Sequence, residues 1–336
     1  MDPLNAFIVL ANFVIIPATT YGAQLALGAL GVTLVYGVLR FSNFAHGDTM
    51  ALGTMVTVLL TWGAQALGLS IGPLPTALLV LPVAIAITSV WVLATDRVVY
   101  RFYRRIKAAP VIFVIVSIGV MFVTNGITRI ILGPDDRRFA DGERFIITAR
   151  DFKTLTGLDE GLALRTSQAL TIVVTVIAVI ALFWFLNRTR MGKAMRAYSD
   201  NEDLALLSGI NPEQVVRLTW IIVAALTVLA GVLYGLDKSY KPFTYFQLLL
   251  PIFAAAIVGG LGSPLGAIAG GFLIAFSEVT VTYAFKKVLT YVLPETLAPE
   301  GLVQLISTDY KHAVSFVILI IVLLIRPTGL FKGKAV

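Results

Sequence analysis

Apolar runs long enough to cross a bilayer alternate with short polar passages along almost the whole chain. A helix needs about 20 apolar residues to cross the hydrocarbon. The pattern marks nine such stretches: Ala18–Leu39, Thr49–Leu69, Pro75–Val99, Pro110–Leu132, Gln168–Leu186, Val216–Leu236, a glycine-rich pair at Phe246–Val258 and Pro264–Phe285, and His312–Arg326. Leu4–Ile16 is short for a crossing; it lies in the interface, dips in, or adds a tenth span. The expectation is an all-α integral membrane protein with about nine transmembrane helices, within a range of eight to ten, and residues 1–336 as one transmembrane domain.

One polar passage, 188–217, also carries a helix signature. Asp200 is suited to cap free N–H groups, and Asp203 falls in the first turn, where a carboxylate is favoured. Gly209 supplies a left-handed stop, and Asn211-Pro212 opens the next helix. A short helix from Asp200 to Ser208 is therefore expected on the membrane surface. Leu204, Ala205, Leu207 and Ile210 give it a narrow apolar stripe, which a partner subunit would grip.

Composition supports the membrane reading. Of 336 residues, 58% are hydrophobic and 13% charged, against about 25% charged in soluble domains. The mean hydropathy is +0.89. There is no cysteine, which excludes disulfides, thiol nucleophiles and cysteine-held metals, and His46 and His312 are too few for a histidine-rich metal site. The N-terminal stretch lacks the basic region of a signal peptide and is expected to remain in place. The net charge of +7 speaks first to topology. Arg97, Arg101, Arg104, Arg105 and Lys107 cluster in one loop; Arg188–Arg196 and the tail after Pro327 are also basic. These three belong in the cytoplasm, and 188–217 with them. The acid-rich segment 133–167 becomes an external loop. An even number of crossings must then separate Val216–Leu236 from the last span. Phe246–Val258 runs inward and Pro264–Phe285 returns. The first arm, 13 residues, covers roughly 20 Å, so its turn is expected within the membrane.

The stretch Gly259–Gly266 reads GGLGSPLG. Ser263 caps and Pro264 opens a helix, and Gly262, Gly266 and Gly270 recur at spacing four to leave one bare helix face. Such faces let membrane helices approach closely; packing alone and a gating hairpin both fit, and Gly260 belongs to the same turn. Asn43-Phe44-Ala45-His46-Gly47-Asp48 reads as a short inner turn, with Asp48 a helix cap and His46 bonded to backbone. Glu278 lies near the outer end of its span, Arg129 near the outer end of another, with Asn125 one turn earlier. Intramembrane charges face protein or water, so Glu278 is either ion-paired or lines a path. The four tryptophans are expected to anchor or pack. No phosphate-binding G-x-x-x-x-G-K-[ST] occurs, so any ATP site of that kind is on another chain. No span carries the ladder of acids and bases of a proton relay, and no acid, histidine or nucleophile cluster suggests an enzyme.

Four blocks, NFAHGDTMALGTMV at Asn43–Val56, GKAMRAYSDNEDLALLSGINPEQV at Gly192–Val215, AAAIVGGLGSPLGAIAGGFLIAFSE at Ala254–Glu278 and DYKHAVSFVILIIVLLIRPTGLF at Asp309–Phe331, resemble the permease subunits of branched-chain amino acid ABC transporters, the LivH-like type. Urea and short-chain amide permeases share these blocks. The resemblance implies a multi-pass protein of the bacterial inner membrane, without cofactor or metal. It implies a second permease subunit, identical or related, two ABC ATPase subunits, and a periplasmic substrate-binding protein, with lipid around it and no nucleic acid. Asp200, Glu202, Asp203, Leu204, Ala205 and Gly209 would couple to the ATPase; Leu204 stands where the pattern often has alanine. Asn43, His46, Gly47, Gly260, Gly262, Gly266, Gly270 and Glu278 are the pore or gate candidates. An ion-coupled secondary transporter is the rival from another class.

Overall fold

The computed structural model describes residues 2–294, 299 and 301–331. Its helices are α1 (Pro3–Leu10), α2 (Ile16–Leu39), α3 (His46–Ala66), α4 (Ala77–Thr95), α5 (Arg101–Arg105), α6 (Pro110–Leu132), α7 (Ala149–Thr156), α8 (Thr166–Arg188), α9 (Arg190–Asp200), α10 (Glu202–Leu207), α11 (Pro212–Lys238), α12 (Pro242–Gly259), α13 (Pro264–Thr282), α14 (Lys286–Val292) and α15 (Lys311–Ile325). A two-stranded hairpin, β1 (Phe145–Ile147) with β2 (Leu164–Arg165), lies between α6 and α8. Among the described residues, eight helical stretches are long and apolar enough to cross a membrane. α3 adds a ninth by length, but Thr49, Thr54, Thr57 and Thr61 make it more polar. Each threonine hydroxyl donates to the carbonyl one turn back, so none is left open in an apolar setting.

α2, α3, α11, α12 and α13 form the centre. α2 is buried almost all round and carries small residues where others press close: a Cβ on Gly22 would strike Phe272, and one on Gly28 would strike Ile252. α4, α6, α8 and α15 lie outside them and expose most of their apolar surface, as lipid-facing helices do. Pro82 and Pro251 interrupt the hydrogen-bond ladders of α4 and α12.

Three expectations need correction. Leu4–Ile16 is not a separate span: through one π-helical turn, Ala11–Ile15, α1 continues into α2 as a single 37-residue helix, about 55 Å long. The first glycine-rich arm has 18 residues rather than 13 and starts at Pro242, because Lys241 and the proline set the helix start upstream of the apolar run. It needs no turn at mid-membrane. Instead the turn at Gly259–Ser263 sits beside the last described residues: Leu330 and Phe331 donate backbone N–H groups to the Val258 and Gly259 carbonyls at 2.9 and 3.0 Å, closing a helix end that would otherwise leave them open. The tract Lys286–Thr308 is only partly described, and the tail beyond Phe331 lies outside the described residues.

Two ends can be distinguished. One carries Arg97–Lys107, α9, α10 and the Gly259–Ser263 turn; it is called the basic end. At the opposite end, Asp141 accepts from Gln65, from the Thr76 hydroxyl and from the Thr76 backbone at 2.6–2.9 Å. There α1 is clasped by distant segments. Asp2 N donates to the Tyr291 carbonyl at 2.9 Å, Glu160 N to Asn5 Oδ1 at 2.9 Å, and Asn12 Nδ2 to the Gly161 carbonyl at 2.6 Å. The Glu160 carboxylate takes Lys287 Nζ at 2.8 Å and Tyr291 Oη at 2.7 Å.

Partial burial works to raise the Glu160 pKa, but the Lys287 and Tyr291 donors outweigh it and hold the carboxyl below its usual range. A group depressed on folding stabilises fully above its unfolded pKa and loses that contribution as pH falls through the folded value. The clasp is therefore expected to contribute fully above about pH 4.5, the ordinary value for this carboxyl, and to be lost as pH falls through the lower folded value. Amide exchange over residues 2–16 should rise in that acid window, and Glu160→Gln should remove the pH dependence.

Candidate functional site

Two regions bring the sequence-predicted residues together. At the basic end, Thr189 Oγ1 accepts from Gly192 N at 2.9 Å and turns α8 into α9. Asp200 ends α9 rather than opening the next helix. Asn201, extended at φ −151°, breaks the chain and caps α10 by accepting from Leu204 N at 3.0 Å. The cap is one residue later than the sequence suggested, because α9 runs on through Asp200. Glu202 and Asp203 fill the first turn. Tyr198 Oη donates to Glu202 Oε1 at 2.6 Å and ties the two helices; burial and this acceptor raise the phenol pKa, so the donor persists at any ordinary pH. Gly209, at φ +79°, ends α10 with Ile210 N on the Ala205 carbonyl at 3.0 Å. Asn211 Oδ1 then accepts from Glu213 N and Gln214 N and starts α11. The expected apolar stripe divides: Ala205 is 3% exposed and packs inward, while Leu204 and Leu207 are 61% and 84% exposed.

This loop touches the rest of the bundle at a defined place. Ser199 Oγ donates to the Gly37 carbonyl at 2.8 Å, and the Arg40 guanidinium donates to the Ser199 carbonyl. A cleft of about 190 Å³ there is lined by Thr33, Gly37, Met195, Ser199, Asp200 and Gly262. The loop and the glycine turn thus share one wall. Behind Gly262, α12 and α13 meet backbone to backbone: a Cβ on Gly266 would strike the Gly259 carbonyl oxygen, and one on Gly270 that of Ala255. Gly260, at φ +111°, carries the turn.

The second region is the start of α3. The sequence suggested a short inner turn between two spans at Asn43–Asp48; the structure buries it in the bundle. After Arg40 the chain climbs inward. Phe41 packs on Tyr100 and Phe113, and Phe44 on Phe253. Asn43 Oδ1 accepts from Ala45 N and Tyr100 Oη at 3.1 and 3.2 Å. Three successive side-chain positions then face three neighbours. The His46 ring lies where Gly31 has no Cβ; the Gly28 backbone faces it, but neither ring nitrogen has a well-formed hydrogen bond. Gly47 lets the Tyr245 carbonyl approach. Asp48 is no cap: it turns to α6, where Asn125 Nδ2 donates to its Oδ1 at 2.6 Å, and Oδ2 stays unpartnered.

Glu278 stands apart from both regions. It is fully buried and holds α13 to α15: the Ser315 hydroxyl donates to Oε1, His312 Nδ1 lies 3.8 Å from the same oxygen, and Lys311 Nζ lies 3.6 Å from Oε2 and 3.8 Å above the Tyr21 ring. The geometry is that of an ion pair between helices. The Asn125–Asp48 pair and the partners of Glu278 are contacts that sequence reasoning missed; Asn125 and Lys311 were visible only as polar residues within or at the end of a span.

A family model described as branched-chain amino acid transport system / permease component matches residues 14–323. The chain belongs to that permease family. High-affinity branched-chain amino acid transport system permease protein LivH of Escherichia coli K12 is 32% identical over 317 residues, which is 93% of this chain and 92% of the relative. BraD of Pseudomonas aeruginosa, named in the same way, is 31% identical over 93% of this chain and 92% of its own length. A probable branched-chain amino acid transport permease protein LivH of Methanocaldococcus jannaschii is 28% identical over 93% and 90%. No solved structure matches the permease. It is a multi-pass membrane protein, and every candidate site residue named above falls within the matched span.

The α12–α13 seam gives a direct test. Gly266→Leu must push apart backbones that now touch, an overpacking change expected to cost about 1–3 kcal/mol or more. The variant should show a clearly lowered thermal midpoint and poor assembly; a wild-type midpoint would mean that the seam is not tightly packed.

Proposed function

We propose that this permease is the membrane-spanning subunit of an ATP-driven ABC importer for branched-chain amino acids in a bacterial cytoplasmic membrane. The observation that carries the reading is the near-full-length likeness to permeases named for that transport. The basic end is cytoplasmic by the distribution of arginine and lysine. There 188–217 is the coupling loop, and separate ABC ATPase subunits dock on α10. A second permease subunit, identical or related, completes the passage. The loop 133–167, on the external side, and the clasp around α1 face a periplasmic substrate-binding protein.

The physical logic is displacement. The exposed leucines of α10 are what an ATPase can grip, Ala205 and Gly209 keep the helix compact, and the Ser199–Gly37 contact and shared cleft pass its movement to α2 and the glycine turn. A ligand-driven change requires an element with different contacts in its two states; the α10 loop and the turn at Gly259–Ser263 have that placement. His46, Asn43 and Gly47, packed between α2, α6 and α12, move if α2 moves. Glu278 holds the opposite end fixed. Substrate choice rests with the binding protein, which is why few fixed charges are needed here.

Because Ala205 is buried, the exposed leucines are the cleaner probes. Leu204→Glu with Leu207→Glu should insert and melt as the wild type does. Burying two leucines in an interface contributes about 1.5–3 kcal/mol each, so the variant should lose ATPase binding and cut leucine uptake by about tenfold or more. Unchanged uptake would refute the coupling assignment; calorimetry on the partner binding protein decides the substrate.

A further inference from the structure

The basic end holds a charge arrangement that transport coupling does not use. Asp96 is fully engaged: Arg104 pairs with it through both nitrogens at 2.6 and 2.8 Å, and Trp220 Nε1 donates to it at 2.7 Å. Glu213 is shared between Arg101 and, at 3.7 Å, Arg217. Arg97 makes no ion pair among the described residues, and Arg101 Nε is shut from solvent without an acceptor. These four arginines and two acids line a cavity of about 280 Å³ with Leu93. Four guanidiniums against two carboxylates leave an excess of two positive charges.

An apolar groove lies at the same level on another face of the same helix. It holds about 420 Å³ between α4 and α6 and is lined by Trp91, Ala94 and Val98 on one side and Val116, Gly119 and Val123 on the other. Gly119 faces its open space, since a Cβ there would meet nothing within 4 Å. Thr95, also in its wall, has its hydroxyl tied to the Trp91 carbonyl at 2.9 Å, so it presents no free polar group. Below the groove, Val98, Phe102 and Ile106 recur at spacing four and are all strongly exposed. The π-helical turn Asp96–Tyr100 carries Arg97 of the cavity and Val98 of the groove at successive positions.

We propose that cavity and groove together form a binding site for an anionic phospholipid. The phosphate oxygens accept from Arg97 and Arg217, and an acyl chain lies along the groove over Gly119. A soluble phosphate would fill the cavity and leave the groove empty; only an amphiphile satisfies both. An ammonium-bearing headgroup would set one cation among four others, so a net anionic headgroup is preferred. The bound lipid would join the extension of α4 to the first turn of α11, directly after the α10 loop, and brace it. The inference rests on the chain spanning a membrane and not on which solute it carries.

The test uses the full chain, purified with whatever subunits stay bound, in nanodiscs of phosphatidylcholine doped with phosphatidylglycerol, with retained lipid counted by native mass spectrometry. Wild type should retain phosphatidylglycerol selectively, and millimolar inorganic phosphate should not displace it. R97Q with R217Q removes two guanidinium contacts and leaves the Asp96 and Glu213 pairs to Arg104 and Arg101; phosphatidylglycerol retention should fall roughly thirtyfold. Arg97→Lys should keep most of it. Gly119→Leu fills the groove and should lower retention of both lipids with an unchanged thermal midpoint. Wild-type retention in both the double variant and Gly119→Leu would overturn the proposal. So would displacement by phosphate, or a loss confined to a bound ATPase or second permease subunit while lipid is kept.

Discussion

Backbone amides and carbonyls cannot stand unpaired where water is absent, and the passage from Arg40 to His46 meets that constraint at its hardest point. This is irregular chain carried into the middle of an apolar bundle. Asn43 makes it possible: its side chain accepts from Ala45 N and Tyr100 Oη, its carbonyl accepts from His46 N at 3.3 Å, and Ser117 Oγ takes Phe44 N at 3.1 Å. α2, α6, α11 and α12 must then close around the polar start of α3. Much of the architecture follows from covering those few residues, including the bare positions at Gly31 and Gly47.

The spans were legible because each is an apolar run bounded by charge, glycine or proline. The helix ends were legible where a cap and a stop coincide, as at Asn211-Pro212 and Gly209. Asp200 and Asn201 are adjacent and chemically equivalent as caps; choosing between them required knowing that α9 persists to Asp200, which no local signal announces. The depth of Asn43–Asp48 was hidden because a short polar connection between two spans looks the same at a surface or in a core. Asn125 and Asp48 are 77 residues apart, and one sequence carries no record of such a pairing.

Buried charge follows one rule at both ends. Asp96 is matched by Arg104 and Trp220, and Glu278 by Lys311 and Ser315. Such pairs add little net stability, since desolvation offsets attraction, but loss of one partner leaves an uncompensated charge. Each therefore acts as a register mark: Asp96 fixes α4 against α11, and Glu278 fixes α13 against α15. The glycine seam between α12 and α13 does the same through shape, at the end where α15 leads back to the turn.

The unbroken run from Pro3 to Leu39 has a mechanical consequence. One of its ends is tied to Tyr291, Glu160 and Gly161, the other to Ser199 through Gly37 and Arg40. A helix is stiff along its axis, so this element works as a push-rod about 55 Å long. The π-turn at Ala11–Ile15, with Pro17 just beyond it, is a soft joint, able to absorb twist while passing thrust. Whatever settles on the clasp at one face has a rigid line to the cleft beside α10 at the other.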